Sequence, residues 1–154
     1  MAKDAIIFTC AAPVPEIWPW EAKEAGARIV ATSRSDFPNQ VNNSICFPAI
    51  FRGTLDVRAR TITDEMCITA AYELAKFAED RGIGEENIIP TTAEWEVFVR
   101  EAVAVAMKAQ EQGVARIKVS REELTKQTEK MIRESREATA LLMKEGLIPP
   151  IPQE

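Results

Sequence analysis

No histidine occurs anywhere in the 154 residues, and that absence excludes more chemistry than any other feature. It removes Ser–His and Cys–His nucleophile pairs and the commonest metal ligand. Acid–base work would fall to carboxylates, lysines or the single tyrosine, Tyr72. The three cysteines, Cys10, Cys46 and Cys67, are far apart, odd in number and free of Cys-x-x-Cys spacing. That pattern predicts reduced thiols and neither a disulfide frame nor a zinc site. Glycines are few, and none completes G-x-G-x-x-G: Gly82 and Gly84 are close, but position 87 is asparagine. With no P-loop either, the chain lacks a turn to cradle a pyrophosphate. The net charge of -5, without a lysine–arginine cluster, excludes an electrostatic nucleic-acid surface. No run approaches membrane-spanning length, and the segment MAKDAIIFTCAAP has too short an apolar core for a signal peptide. The expectation is a cytoplasmic protein without nucleic-acid or membrane partners.

What is present reads as α/β in its first third. Residues 5–11, AIIFTCA, form a nearly continuous apolar run, the pattern of a strand buried on both faces. Residues 16–25 suit a short helix stopped by Gly26, and 28–32, RIVAT, read as a second buried strand. Strand, helix and strand in so short a span predict a βαβ unit with parallel strands. Residues 87–89, NII, are a candidate third strand before Pro90. Such a sheet is small for its class, and a strand starting so early demands neighbours that the sequence scarcely supplies. The expectation is a chain lacking its N-terminal part.

The rest reads as helical. Pro48 opens a helix over 48–58. From Asp64, apolar residues recur at helical spacing until Gly82. Thr91 with Glu94, and Ser120 with Glu123, have capping-box spacing and open helices to about Gln112 and over about 121–145. On the last helix, Leu124, Thr128, Met131, Ser135, Ala138 and Leu142 form a narrow stripe in alternating four- and three-residue steps. It suits packing on another helix or subunit, or a surface helix on its own domain; both readings stand. The tail LIPPIPQE is expected to be extended. The boundaries expected are 1–117 for the α/β-derived part and 118–154 for the last helix and tail.

Residues 31–58, ATSRSDFPNQVNNSICFPAIFRGTLDVR, carry the most functional information. Asn39, Gln40, Asn42 and Asn43 crowd together between Pro38 and Pro48. A neutral amide donates to a carboxylate or carboxamide and accepts from an amide or hydroxyl, so Asn42 and Asn43 are candidate ligand contacts. The alternative is that both only cap the following helix. Arg34, Asp36, Arg52, Asp56 and Arg58 suit an ion-pair set that holds loop shape.

DAIIFTCAAPVPEI, ATSRSDFPNQVNN and FPAIFRGTLDVRA, followed more loosely by TITDEM, NIIP and GVAR, resemble one family in one consistent order. The resemblance covers roughly three-quarters of the chain, far beyond a chance short-motif match. It is to the C-terminal part of the nicotinamide-binding domain of malic enzymes of the bacterial and archaeal type. It implies a partial Rossmann-like parallel sheet of two to three strands, followed by a helix-rich C-terminal half. It implies NAD or NADP as cofactor, malate and pyruvate as ligands, and Asn42, Asn43, Pro13 and Ala12 along the cofactor and substrate wall.

Three positions depart from the family pattern. Ala12 stands where an amide is usual in A-N-P, and Ser33 and Ala49 stand where glycine is usual. In the family, the catalytic tyrosine and lysine, the acidic ligands for Mg or Mn and the glycine-rich loop lie upstream of this region. The resemblance therefore implies a separate N-terminal subunit that brings those groups, within a homo-oligomer. No catalytic residue and no metal ligand is assigned to this chain. A non-catalytic binding or assembly protein of the same descent is the rival expectation.

Overall fold

The computed structural model describes residues 1–149; residues 150–154, the end of the expected extended tail, lie outside the described residues. In chain order the elements are β1 (Ile6–Thr9), α1 (Pro19–Glu24), β2 (Ile29–Thr32), a 3-10 turn (Asn43–Ile45), α2 (Phe47–Asp56), α3 (Asp64–Arg81), α4 (Glu96–Glu111) and α5 (Arg121–Lys144). β1 and β2 run parallel, with Ile6 opposite Ile29 and Thr9 opposite Thr32. Between them, α1 buries Ala22 against Ala27 and Val30, so the βαβ unit forms as the apolar pattern required. Pro19 starts α1 at a position where a missing N–H costs nothing. Gly26 ends it in a left-handed conformation, φ +95°.

Two strand expectations change. β1 was expected to be buried on both faces, yet Ile6 and Phe8 are 56% and 55% exposed. Successive strand side chains point to opposite faces; Ile7 packs toward α1, and Ile6 and Phe8 face the other way from an edge strand. Residues 87–89 form no strand. Asn87 instead closes a tight bridge with Gly84, and the Ile88 N–H is taken by the Asn39 side-chain oxygen at 2.9 Å. Pro90 has no N–H to offer a ladder.

The helical half is built around α4, which buries Val97, Val99, Glu101 to Ala106 and Ala109 between α2, α3 and α5. Val57, Met66, Ala70, Val103, Val105, Ala106 and Leu124 meet in one core. α2 approaches α4 closely because Gly53 has no side chain. A Cβ there would lie 2.9 Å from the Val105 Cβ and overlap the Ala102 carbonyl oxygen. Thr63 caps α3 by accepting the Met66 N–H at 3.2 Å, and Gly82 stops that helix at φ +99°. The Thr91–Glu94 pair forms, but one step before the helix. Glu94 accepts the Thr91 N–H at 2.8 Å and is held by Arg81 at 2.6 Å, so α4 begins at Glu96. Ser120 caps α5 as expected, at 3.2 Å from the Glu123 N–H. Leu124 and Thr128 are buried in the body, whereas the helix is exposed from Arg133 to its end. No helix among the described residues is long and apolar enough to cross a membrane.

Candidate functional site

Parallel strands place ligand-binding loops at their C-terminal ends, where consecutive crossovers leave a crevice. Here the loop after β1 carries Ala12 and Pro13, and the loop after β2 carries Ser33 through Asn43. Ser33 joins them. Its hydroxyl donates to the Cys10 carbonyl at 3.1 Å and the Ala11 carbonyl at 3.4 Å. Its own carbonyl accepts the side-chain amides of Gln40 and Asn42, each at 3.4 Å. Neither Ser33 nor Ala49 adopts a left-handed backbone, so the Cβ at each of these positions, where the resemblance leads us to expect glycine, is carried without dihedral strain. Ala49 is buried, and the Ser33 hydroxyl works as a tie between the loops.

Arg34 holds the outer wall. It donates to the Pro13 carbonyl at 2.7 Å and pairs with Asp36 at 2.6 Å. Its guanidinium also lies 5.6 Å and 5.7 Å from the ring centres of Trp18 and Phe37. Hydrogen bonding from Arg34 holds the Asp36 carboxyl below its ordinary range. Arg52 pairs with Asp56 one helical turn on, and Asp56 also accepts the Thr128 hydroxyl at 3.2 Å, joining α2 to α5. Two of the expected ion pairs are thus structural, and Arg58 has no ion-pair partner among the described residues.

The amide candidates separate into different roles. Asn42 accepts the Ser44 N–H at 2.9 Å as cap of the 3-10 turn, and its NH2 reaches Ser33. One of its two N–H donors and one acceptor site of its oxygen are therefore spent on its own chain. Asn43 is exposed, and its side chain makes no hydrogen bond among the described residues. Ala12 and Pro13 are exposed on the facing loop. Asn39, which sequence reasoning did not separate from its neighbours, is buried at φ +57°. It donates to the carbonyls of Val30 at 3.2 Å and Glu85 at 2.7 Å. Asparagine tolerates the left-handed region, and Asn39 sits there as the staple between β2 and the 84–88 turn. Its place after Pro38 in a turn-rich stretch was the available signal.

Glu101 is the other residue that sequence reasoning passed over. It lies fully buried inside α4, and neither carboxyl oxygen has a hydrogen-bond partner among the described residues. Burial pushes it up to about 8; the neighbouring Cys46 thiol pulls the other way, and repulsion from Glu73 adds a smaller upward push. Burial and Glu101 in turn push the Cys46 thiol up to about 12. A lone acid inside an apolar helical run was the signal. Among the described residues, no group of three or more Cys, Asp or Glu is arranged to hold a metal ion. Tyr72 is 74% exposed on α3.

Comparison with known proteins gives these loops a context. Residues 27–111 match the family model described as malic enzyme, NAD binding domain. Over 131 residues the chain is 50% identical to a Bacillus subtilis protein named bifunctional malic/malolactic enzyme, covering 85% of this chain and 32% of that one. The crystal structure of Entamoeba histolytica malic enzyme superposes with a TM-score of 0.96 at 52% identity, over 99% of this chain and 32% of that one. The Pyrococcus horikoshii malic enzyme structure gives 0.86 at 54% identity, over 94% and 33%. The chain thus spans about a third of the length of these relatives. With its parallel βαβ unit, amide-bearing crevice loops and these matches, the chain belongs to the malic enzyme family, in the NAD-binding domain.

Proposed function

We propose that this chain forms the nicotinamide and substrate wall of a malic-enzyme active site, converting malate and NAD(P) to pyruvate, carbon dioxide and NAD(P)H. The observation that carries the reading is the pair of crevice loops locked together through Ser33, with the Asn43 amide left open beside them. Asn43 is the residue that contacts ligand: its amide orients the nicotinamide carboxamide or a malate carboxylate. Asn42 positions it by holding the turn. Ala12 and Pro13 contribute shape from the other loop, Ala12 without the amide usual in the family.

The chain's residues fit one end of the dinucleotide and not the other. The exposed amide and loop backbone suit the nicotinamide, whereas no glycine-rich turn meets the pyrophosphate. When bound, the nicotinamide supplies a hydride acceptor. Removing the malate hydroxyl proton needs a base at that oxygen, and loss of carbon dioxide needs a polarised ketone. No residue set among the described residues fits a divalent metal, so no step is routed through one on this chain. Exposed Tyr72 lies on α3, outside the crevice loops, and is not offered as the base. Those groups, and further oligomer contacts, belong to a second polypeptide carrying the upstream part of the family's chain; a cytoplasmic setting completes the reading.

The test is malate-dependent NAD(P) reduction with Mg or Mn, comparing the chain alone with the chain plus an upstream malic-enzyme fragment. Activity is expected only in the mixture. Asn43→Ala should cut it about tenfold or more, the scale of one lost hydrogen bond to a charged ligand group. Turnover by the chain alone, or an unaltered rate in the Asn43→Ala mixture, would refute the proposal.

A further inference from the structure

Ser33 grips both crevice loops at once, each with a different end of the same residue. Its hydroxyl donates to the carbonyls of Cys10 at 3.1 Å and Ala11 at 3.4 Å, just ahead of Ala12 and Pro13. Its carbonyl accepts the side-chain amides of Gln40 and Asn42. The peptide unit that carries this carbonyl is anchored at its other end, where the Arg34 N–H donates to the Thr32 Oγ1 at 3.0 Å. Thr32 is buried at the end of β2, so that anchor belongs to the sheet. The Ser33 carbonyl is thus aimed from two sides, by the sheet through Thr32 and by the first loop through its own hydroxyl.

Asn42 passes the constraint on. While its NH2 is held by Ser33, its side-chain oxygen accepts the Ser44 N–H at 2.9 Å. Its main-chain carbonyl takes the Ile45 N–H at 3.2 Å, and that of Asn43 takes the Cys46 N–H at 3.0 Å. Asn43 is therefore carried in a turn whose orientation is read off the Ser33 carbonyl. Arg34 makes a second tie to the first loop, at the Pro13 carbonyl, but it bypasses this turn. Among the described residues its guanidinium otherwise meets only Asp36, Trp18 and Phe37.

We infer that Ser33 is a positioning residue, whose hydroxyl sets the separation between the Ala12–Pro13 loop and the Asn43 amide by acting through Asn42. The inference rests on the reading of these loops as the nicotinamide and substrate wall. Ser33 touches no ligand in this role, since its hydroxyl hydrogen and its carbonyl are both committed within the chain. It decides whether the two sides of the wall are already in place when ligand arrives. Without the hydroxyl each loop keeps its own local bonds, but the carbonyl loses one of its two anchors. Ordering the loops is then paid at each binding event, so affinity falls while the chemistry is untouched.

Amide hydrogen exchange on the full chain tests the relay with no ligand present. Ser33→Ala should speed exchange at Ser44, Ile45 and Cys46 by about three- to tenfold beyond any change at Val103 and Ala106 in α4, the scale of one neutral hydrogen bond. Ser33→Thr keeps the hydroxyl and should restore slow exchange. In the mixture with an upstream malic-enzyme fragment, Ser33→Ala should raise KM for NAD(P) by a similar factor and leave kcat within about twofold. Ser33→Ala with Asn42→Ala should raise KM no further than the larger single change, because both cut one relay. Exchange at 44–46 that changes no more than in α4, speeding that Ser33→Thr does not reverse, or additive KM effects would each overturn the inference. A wild-type mixture without activity refutes the wall reading and this role with it. An active wild-type mixture whose KM is unmoved by Ser33→Ala overturns the positioning role alone.

Discussion

Glu101 makes stability fall as pH rises, and the size of the effect can be worked out. In the unfolded chain its carboxyl ionises near the ordinary value of 4.5; in the fold it keeps its proton up to about 8. Between those values the unfolded state has lost a proton that the folded state retains, so each pH unit favours unfolding by about 1.4 kcal/mol. Below 4.5 there is no penalty, and above 8 it is constant at about 5 kcal/mol, the product of shift and slope. That rivals the whole stability of many domains. Nothing nearby cancels it. Cys46 stays neutral until about 12, Glu73 adds a like charge, and Arg100 is engaged by Glu73 at 3.3 Å and Asp80 at 2.7 Å.

The measurement is urea unfolding of wild type and Glu101→Gln at pH 5, 6, 7 and 8. The amide cannot ionise, so the wild-type stability should drop relative to the variant by several kcal/mol across that range. Curves that stay parallel from pH 5 to 8 would mean that the carboxyl is not held neutral by burial, and the reasoning fails.

Two further outcomes test the packing and the thiols. Gly53→Ala should destabilise the fold by about 1–3 kcal/mol in chemical denaturation, because the new methyl meets a backbone carbonyl that cannot move aside. An unchanged midpoint would mean that α2 and α4 are not in close contact there. With an aromatic disulfide reagent at pH 8, the exposed Cys10 and Cys67 should react quickly and Cys46 only on unfolding. The cause is that the Cys46 thiol, pushed up to about 12, presents almost no thiolate at that pH. Three fast equivalents would contradict the placement of the half-buried Cys46 beside Glu101.

Particular residues show how far the chain could be read without its fold. Some helix ends were legible from local signals: Ser120 supplies a side-chain oxygen to the first turn of α5 and Gly82 takes up left-handed backbone that other residues resist, whereas the Thr91–Glu94 spacing stands ahead of a helix that begins at Glu96. The parallel βαβ unit was legible because two apolar runs a short helix apart have few other ways to pack. The NII segment was misread because its fate rests on Asn39, remote in sequence, which captures the Ile88 N–H. Ile6 and Phe8 were misread because a strand's burial depends on neighbours, which no local pattern contains.

The site divides in the same way. Residue types and order alone carried the family resemblance and placed the amides of 39–43 on a loop after the second strand. They could not say which amide is free, since all share one chemistry. Only the tertiary structure, by spending Asn39 on hydrogen bonds to the distant 84–88 turn and Asn42 on Ser33 and Ser44 while leaving Asn43 exposed, separated staple, cap and candidate ligand contact. The physical reason is that periodicity and capping act within a few residues, whereas hydrogen-bond capacity and burial are consumed by partners that the chain brings together only when it folds.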